Sequence, residues 1–476
     1  MADASSPSPN HQPSSAPAPG DRPGWPETLG FAVGGLPYNL GVDGIKRLAQ
    51  PIFNIMLGVN PALIGTILMC ARIWDAFTDP WMGLVSDNTR TRWGRRRPYI
   101  LLGAVLSAII FPLIWFVPRG SSPHFAATYF GVMAFLFYTA FTIYCVPYVT
   151  LALEMTPNYA ERTRILAIRT FFSSLSGLTL AWAFSIAYWE GFGDPITGIR
   201  VVGICIGVLF LLAGSAPALF VRERYMKLAQ NQKKLSFKVS LKTTLQNRQF
   251  LVLIGLTLSI IFGAMTFGSL GIYVNTYYVF GGDIAKGATM EGLSGTAGLL
   301  ANWAYLPVIT IMARKFGKTR ALAFCLICGL VGSVCKWFLI RPEWPYAQLL
   351  LPFILSPAHS AFWLLVNSMK ADVCDYDELQ SGVRREGAYA AVSSWAQKFA
   401  AAMTFSASGI VLVAIGFDQS LGGAQSPHTL TLLRVSYVIM PLLSYGGALL
   451  LLRLYRLGPQ RMADIRQQLE ARRSTV

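Results

Sequence analysis

Apolar runs of about 20 residues or more recur along almost the whole chain, separated by short polar or basic stretches. One such run is long enough for one helical crossing of a bilayer. In hydrocarbon every backbone amide must be satisfied within the structure, which leaves only α-helices or a closed barrel. Barrel strands would be about ten residues long and alternate in polarity. These runs are longer and do not alternate, so the chain reads as an all-α, polytopic membrane protein. Composition agrees: 53% of residues are hydrophobic and 13% charged, against about 25% charged in soluble domains.

About twelve spans can be placed against the charges between them. In the first half they are 28–57, 61–87, 97–117, 125–149, 164–189 and 199–221; in the second, 249–279, 291–314, 319–340, 346–370, 386–415 and 429–453. The domains expected are a cytoplasmic tail 1–26, an N-terminal six-helix bundle 27–221, a basic cytoplasmic linker 222–248, a C-terminal six-helix bundle 249–453 and a cytoplasmic tail 454–476. Residues 1–26 are rich in Pro, Ser and Ala, without the apolar core of a signal peptide. The net charge is +17. Its basic residues crowd the loops at 88–97, 222–248 and 314–320 and the tail after 453, whereas Arg119, Arg200, Lys286 and Arg341 are the few in the opposite loops. That asymmetry places both termini in the cytoplasm and argues against nucleic acid as the reason for the charge. Cys325 and Cys328 form the only CxxC, with no second pair or histidine at zinc-site spacing, so they read as small core residues.

Asp75 and Asp79 lie one helical turn apart in the second span. A carboxylate in the hydrocarbon layer costs roughly 2.5–3.5 kcal/mol, and two on one helix face repel. A bound cation, a proton or a basic partner must offset that repulsion. The pair is therefore read as a cation site, with pairing of Asp75 to Arg72 as the structural alternative. The span ends in Arg90-Thr-Arg-Trp-Gly-Arg-Arg-Arg97.

The stretch Arg72-Ile-Trp-Asp-Ala-Phe-Thr-Asp-Pro-Trp-Met-Gly83, continuing through Ser86-Asp-Asn-Thr-Arg-Thr-Arg-Trp-Gly-Arg-Arg-Arg-Pro98, resembles the signature of the glycoside–pentoside–hexuronide:cation symporters, a family of the major facilitator superfamily that includes melibiose permease. A second block, Ala371-Asp-Val-Cys-Asp-Tyr-Asp-Glu378 with Gly382-Val-Arg-Arg-Glu-Gly387, resembles that family's segment between spans ten and eleven. The resemblance implies the major facilitator fold and residue roles. Asp75, Asp79 and Thr142 match the coupling-cation ligands. Arg169, Lys398 and Trp363 match residues lining the central cavity. Thr78 replaces a family asparagine, which leaves Na+ and H+ both open as coupling ion. Sugar-contacting aspartates of melibiose-type members are absent: Cys145 stands at the fourth-span position and Leu36-Pro37-Tyr38 at the first.

The first span offers other chemistry. Asp43, Lys46, Arg47 and Gln50 share one helix face, and Asp43 can neutralise only one of the two cations. Together with Arg169 and Lys398 this suggests a cavity suited to an anionic sugar such as a uronide, snorkelling of Lys46 or Arg47 being the alternative. His359 in the tenth span is an intramembrane titratable group. At the cytoplasmic side, Arg92, Arg95, Arg96 and Arg97 face Glu154, Asp372, Asp375, Asp377 and Glu378, a set able to latch the two bundles when the outward state forms.

The expected function is cation-coupled import of a sugar, glycoside or uronide through a bacterial inner membrane by alternating access. The alternatives are an amphiphilic substrate such as a lysolipid, or a non-transporting sensor on the same fold. No nucleophile–base constellation, P-loop or metal motif is present, so neither an enzyme nor a cofactor is expected. The partners expected are the small-molecule substrate and the lipid bilayer, with no obligate protein partner.

Overall fold

A computed structural model describes residues 23–156, 159–223, 244–268, 270–382 and 385–474. Most of the expected tail 1–26 and linker 222–248 lies outside the described residues. The described chain is helical. Eight helices are long and apolar enough to cross a membrane, and Arg97–Leu113 and Arg248–Gly263 are shorter apolar ones. The first two spans fall outside that set because charges interrupt their apolar surface.

Span one is built from Trp25–Val33, Gly35–Ala49 and a π-helical turn Gln50–Met56. Pro51 lacks the amide that an α-helix needs at that point, and the wider turn absorbs the loss. Spans two to six are Pro61–Asn88, Arg97–Leu113, Pro123–Met155, Tyr159–Ala187 and Pro195–Phe220. Span seven repeats the irregularity of span one. Its main helix, Arg248–Gly268, is followed by Gly271–Tyr273 and a π-turn Val274–Val279. Spans eight and nine are Ile284–Phe316 and Lys318–Leu339. Span ten runs from Pro345 to Ser381 with a π-turn at Phe362–Val366, so Ala371–Glu378, expected as a connecting segment, is helical. Spans eleven and twelve are Glu386–Ala414 and Pro427–Leu452. A further helix, Pro459–Ser474, folds the C-terminal tail back onto span ten: Arg466 pairs with Asp372 at 3.0 Å and Tyr455 Oη donates to Met369 O at 3.3 Å.

Loop carboxylates fix the outer ends of spans. Asp194 accepts from Thr197 N at 2.8 Å at the start of span six. This backbone hydrogen bond holds its carboxyl below the usual range, and Arg119 adds to the effect. At the start of span three, Glu223 accepts from the amides of Arg95, Arg96 and Arg97 at 2.8, 2.9 and 3.1 Å. Its charge sits where the helix N-terminus is positive. Gly94 turns the chain there with φ +104°, and a Cβ would stand 2.5 Å from Glu223 Oε1.

The two bundles meet along spans two and eleven and along spans five and eight. The named contacts lie in the outer half and at mid-membrane. A Cβ on Gly65 would come 2.4 Å from Phe405 O, and one on Gly409 would come 2.2 Å from Pro61 O. Gly292 and Gly295 of span eight lie against Trp182 and Ala181 of span five. Tyr273 Oη donates to Asn54 Oδ1 at 2.8 Å, and Asn54 Nδ2 donates to Gln419 Oε1 at 2.8 Å. At the opposite end, Glu154 and Asp372 pair within their own bundles. Arg95 and Arg96 both bind Glu154, whose side chain is 0% exposed. Asp372 binds Lys318 at 2.6 Å as well as Arg466, and Arg385 binds Asp377 at 2.8 Å. The bundles are thus closed against each other at the end that carries Pro61 and Gly409.

Two outcomes are expected. Gly65→Val or Gly409→Val wedges the outer seal and shifts the population outward. In a background lacking the native cysteines, external thiol labelling of Gln419→Cys should then rise. Glu154→Gln leaves Arg95 and Arg96 with only the half-exposed Asp87 as a carboxylate partner and should cost up to about 3–5 kcal/mol, the upper range being that of a broken buried pair. Thermal unfolding in detergent reads that loss as a lower midpoint; an unchanged midpoint counts against it.

Candidate cation and substrate site

Span two places Asp75 and Asp79 one turn apart, and span four places Thr142 opposite them. Thr142 Oγ1 donates to Asp75 Oδ1 at 2.8 Å and lies 3.3 Å from Asp79 Oδ1. Thr78 Oγ1 stands 3.2 Å from Thr142 Oγ1, so the residue in the family asparagine's place still supplies an oxygen. The three residues expected to bind the cation are thus brought together.

Lys398 is the departure. It was expected in the substrate cavity. Instead its Nζ reaches across from span eleven to Asp75 Oδ2 at 2.9 Å and to Asp79. Asp75, only 1% exposed, also has Arg72 NH1 at 3.2 Å, and Arg72 lies over the Tyr138 ring at 5.5 Å. Asp75 thus belongs to the oxygen cluster and also pairs with Arg72. Two carboxylates face two cations, so the cluster is neutral and burial is tolerable.

Arg169 is held differently from Lys398. Its guanidinium lies over Tyr38 at 4.7 Å and over Tyr148 at 5.2 Å. These tyrosines belong to the stretches that replace the family's aspartates. Aromatic faces thus hold this cation. Cys145 is buried with its sulfur 4.0 Å from Thr142 O, so it packs beside the cation ligands.

On the first span, Lys46 Nζ sits 3.3 Å from Asp43 and 5.9 Å from the Phe405 ring of span eleven. Arg47 has no carboxylate within 4 Å among the described residues. His359 feels the charges of Asp43, Lys46 and Arg47, which places it opposite that face of span one. Its ring stands edge-on to Trp363 at 6.4 Å, and Trp363, on the π-turn of span ten, is 38% exposed. Of the expected cytoplasmic latch, Arg95, Arg96 and Glu154 bind one another, Arg97 donates to Ala218 O at 2.6 Å, and Asp375 lies 3.9 Å from Arg466. Arg92 stays on the exposed loop. Glu291 and Lys336, charged residues inside spans eight and nine, were passed over in the sequence, although an ionisable group within an apolar span is itself the signal.

Comparison with known proteins places this geometry. Residues 30–459 match the family model described as MFS/sugar transport protein. The chain is 27% identical over 456 residues to the isoprimeverose transporter of Lactiplantibacillus pentosus, covering 93% of this chain and 92% of the relative. It is 24% identical over 451 residues to the putative glycoside/cation symporter YagG of Escherichia coli (strain K12), covering 93% and 94%. Among solved structures, a bacterial homolog of the human lysosomal transporter Spinster, in an inward-facing and unoccupied conformation, shares the fold. Its TM-score is 0.64 at 13% identity, over 90% of this chain and 96% of that one. A chain of two six-helix bundles, it belongs to the MFS/sugar transport protein family, whose members are transporters and not enzymes.

Proposed function

We propose that this protein imports a sugar, glycoside or uronide with a coupling cation, Na+ or H+, across a bacterial inner membrane by alternating access, with both termini cytoplasmic. The observation that carries the reading is Lys398 of one bundle bridging Asp75 and Asp79 of the other. In the unloaded, inward-facing state the lysine ammonium stands where a coupling cation would. Adding Na+ or H+ to a neutral cluster creates excess charge, so binding proceeds by exchange: the cation enters as Lys398 withdraws. Withdrawal breaks a link between the bundles and ties their rearrangement to cation occupancy. Na+ would take hard oxygens from Asp75, Asp79, Thr142 and Thr78; a proton would neutralise one carboxylate directly.

The substrate side lies between the first span, His359 and Trp363. Arg47, lacking a carboxylate partner, suits the acid group of a uronide, and Trp363 offers a flat face to a sugar ring. Arg169, packed on its tyrosines, holds the neighbouring wall. In the outward-facing state Arg92, Arg95, Arg96 and Arg97 would meet Asp372 and Asp375 across the closed cytoplasmic side.

Counterflow in proteoliposomes, with neutral glycosides, uronides and lysolipids, with and without Na+ and across pH, tests the reading. Asp75→Asn and Asp79→Asn should abolish cation-driven accumulation. Undiminished uptake in both variants would refute it. Lys398→Gln should separate two modes: exchange continues, because the loaded carrier keeps its cation, while net uptake falls because the empty carrier must reorient with one bare carboxylate, costing roughly 2.5–3.5 kcal/mol. Arg47→Gln should raise the half-saturation concentration for a uronide about tenfold or more, a charge-assisted contact being worth about 1.5–3 kcal/mol, and change that for a neutral glycoside far less.

A further inference from the structure

The C-terminal bundle encloses a second polar cluster, in its outer third, that the cation site does not use. Glu291 of span eight accepts from Asn275 Nδ2 at 2.8 Å. Its other oxygen has no hydrogen-bond donor among the described residues. Asn275 is 4% exposed, and its own Oδ1 is buried without a partner. Lys336 of span nine is 7% exposed, and its Nζ lies 3.8 Å from the centre of the Tyr437 ring. No carboxylate lies within 4 Å of that ammonium among the described residues. The cluster thus contains one buried acceptor without a donor, Asn275 Oδ1, a partly buried carboxylate with an oxygen to spare, and an ammonium that donates to Tyr437 O at 3.5 Å but meets no acid among the described residues. A buried polar set left in that condition is costly unless something completes it.

The backbone shapes the same place. Gly271, beside the break in span seven, leaves open the space that a Cβ would fill 2.8 Å from Glu291 Oε1 and 3.3 Å from Tyr437 Oη. The π-turn Val274–Val279 presents Asn275, and its counterpart in the first half, Gln50–Met56, follows the charged face of span one. Interrupted helices at equivalent positions of two repeats mark binding sites in transporters. The two elements touch through Tyr273 and Asn54, and Glu291 feels the charge of Arg47 from the opposite bundle.

We infer that Glu291 and Asn275 form a hydroxyl-binding subsite on the C-terminal bundle, taking two O–H donors of a sugar whose other end is held by Arg47. The chemistry is that of a diol: two hydroxyls on one ring donate to Glu291 and Asn275. Lys336 offsets the carboxylate's charge and, with Tyr437, positions it. Uronides and neutral glycosides share such hydroxyls, so this subsite selects for ring stereochemistry where Arg47 selects for charge. The assignment rests on the sugar-transport reading above.

The test uses full-length protein in proteoliposomes with p-nitrophenyl α-D-galactoside, β-D-xyloside and β-D-glucuronide, together with the monodeoxy analogues of whichever is transported. Glu291→Gln should raise the half-saturation concentration for the parent glycoside roughly ten- to hundredfold. For one monodeoxy analogue the same substitution should cost little, because the hydroxyl that Glu291 accepts is already missing. Cation binding without sugar, followed by tryptophan fluorescence, should stay within about twofold of wild type, since Glu291 is not part of the Asp75 cluster. Gly271→Ala, which fills the space beside the carboxylate, should reproduce the sugar defect and supplies the test if the Gln variant does not reach the membrane. Unchanged half-saturation, or an equal loss for the parent and every deoxy analogue, overturns the subsite while leaving sugar transport standing. A wild type that moves none of the three glycosides overturns both.

Discussion

The structure depends on how two carboxylates are neutralised inside a membrane. Asp75 and Asp79 repel each other, and Thr142 cannot cancel their charge. Arg72 supplies one positive charge from the same helix, and Lys398 supplies the other from the opposite bundle. The second is the decisive one, because it makes the electrostatics of the site a property of both bundles at once. Any ligand that changes the charge at the carboxylates also changes the attraction between the halves. Coupling in such a carrier needs only a difference in affinity between its two conformations, and this cross-bundle bridge provides one.

Much of this was legible in the sequence. The apolar runs place the spans, because hydrocarbon leaves the backbone no alternative to helix. Two acids at helical spacing announce themselves energetically. What remained hidden was long-range or irregular. Lys398 is 323 residues from Asp75 in sequence, and nothing local distinguishes a lysine that lines a cavity from one that crosses it. The π-turns of spans one, seven and ten follow from where a proline or a packing neighbour disturbs the helix, which periodicity does not register. The tail helix Pro459–Ser474 is polar overall, and its apolar stripe is only Met462, Ile465 and Leu469, too short to reveal its packing on span ten.

The aromatic clamp on Arg169 shows why substitution patterns mislead when read one position at a time. Tyr38 and the residues around Tyr148 looked like the loss of a sugar site. In the fold they meet across spans one and four, their rings 6.0 Å apart, with the arginine over both. The arginine's charge is met there by ring quadrupoles, which keep it in place.

The outer seal has a consequence for how this lineage can change. Where Gly65 meets Phe405 O and Gly409 meets Pro61 O, the seal is backbone lying on backbone. Its geometry at these two points is encoded by the absence of side chains, not by their identity. Cavity residues other than Asn54, Gly292 and Gly295, which belong to the contact, can therefore be exchanged without reshaping the joint about which the bundles rock. Such a protein can acquire a new cargo by a few replacements in its cavity while its mechanical cycle is inherited unaltered.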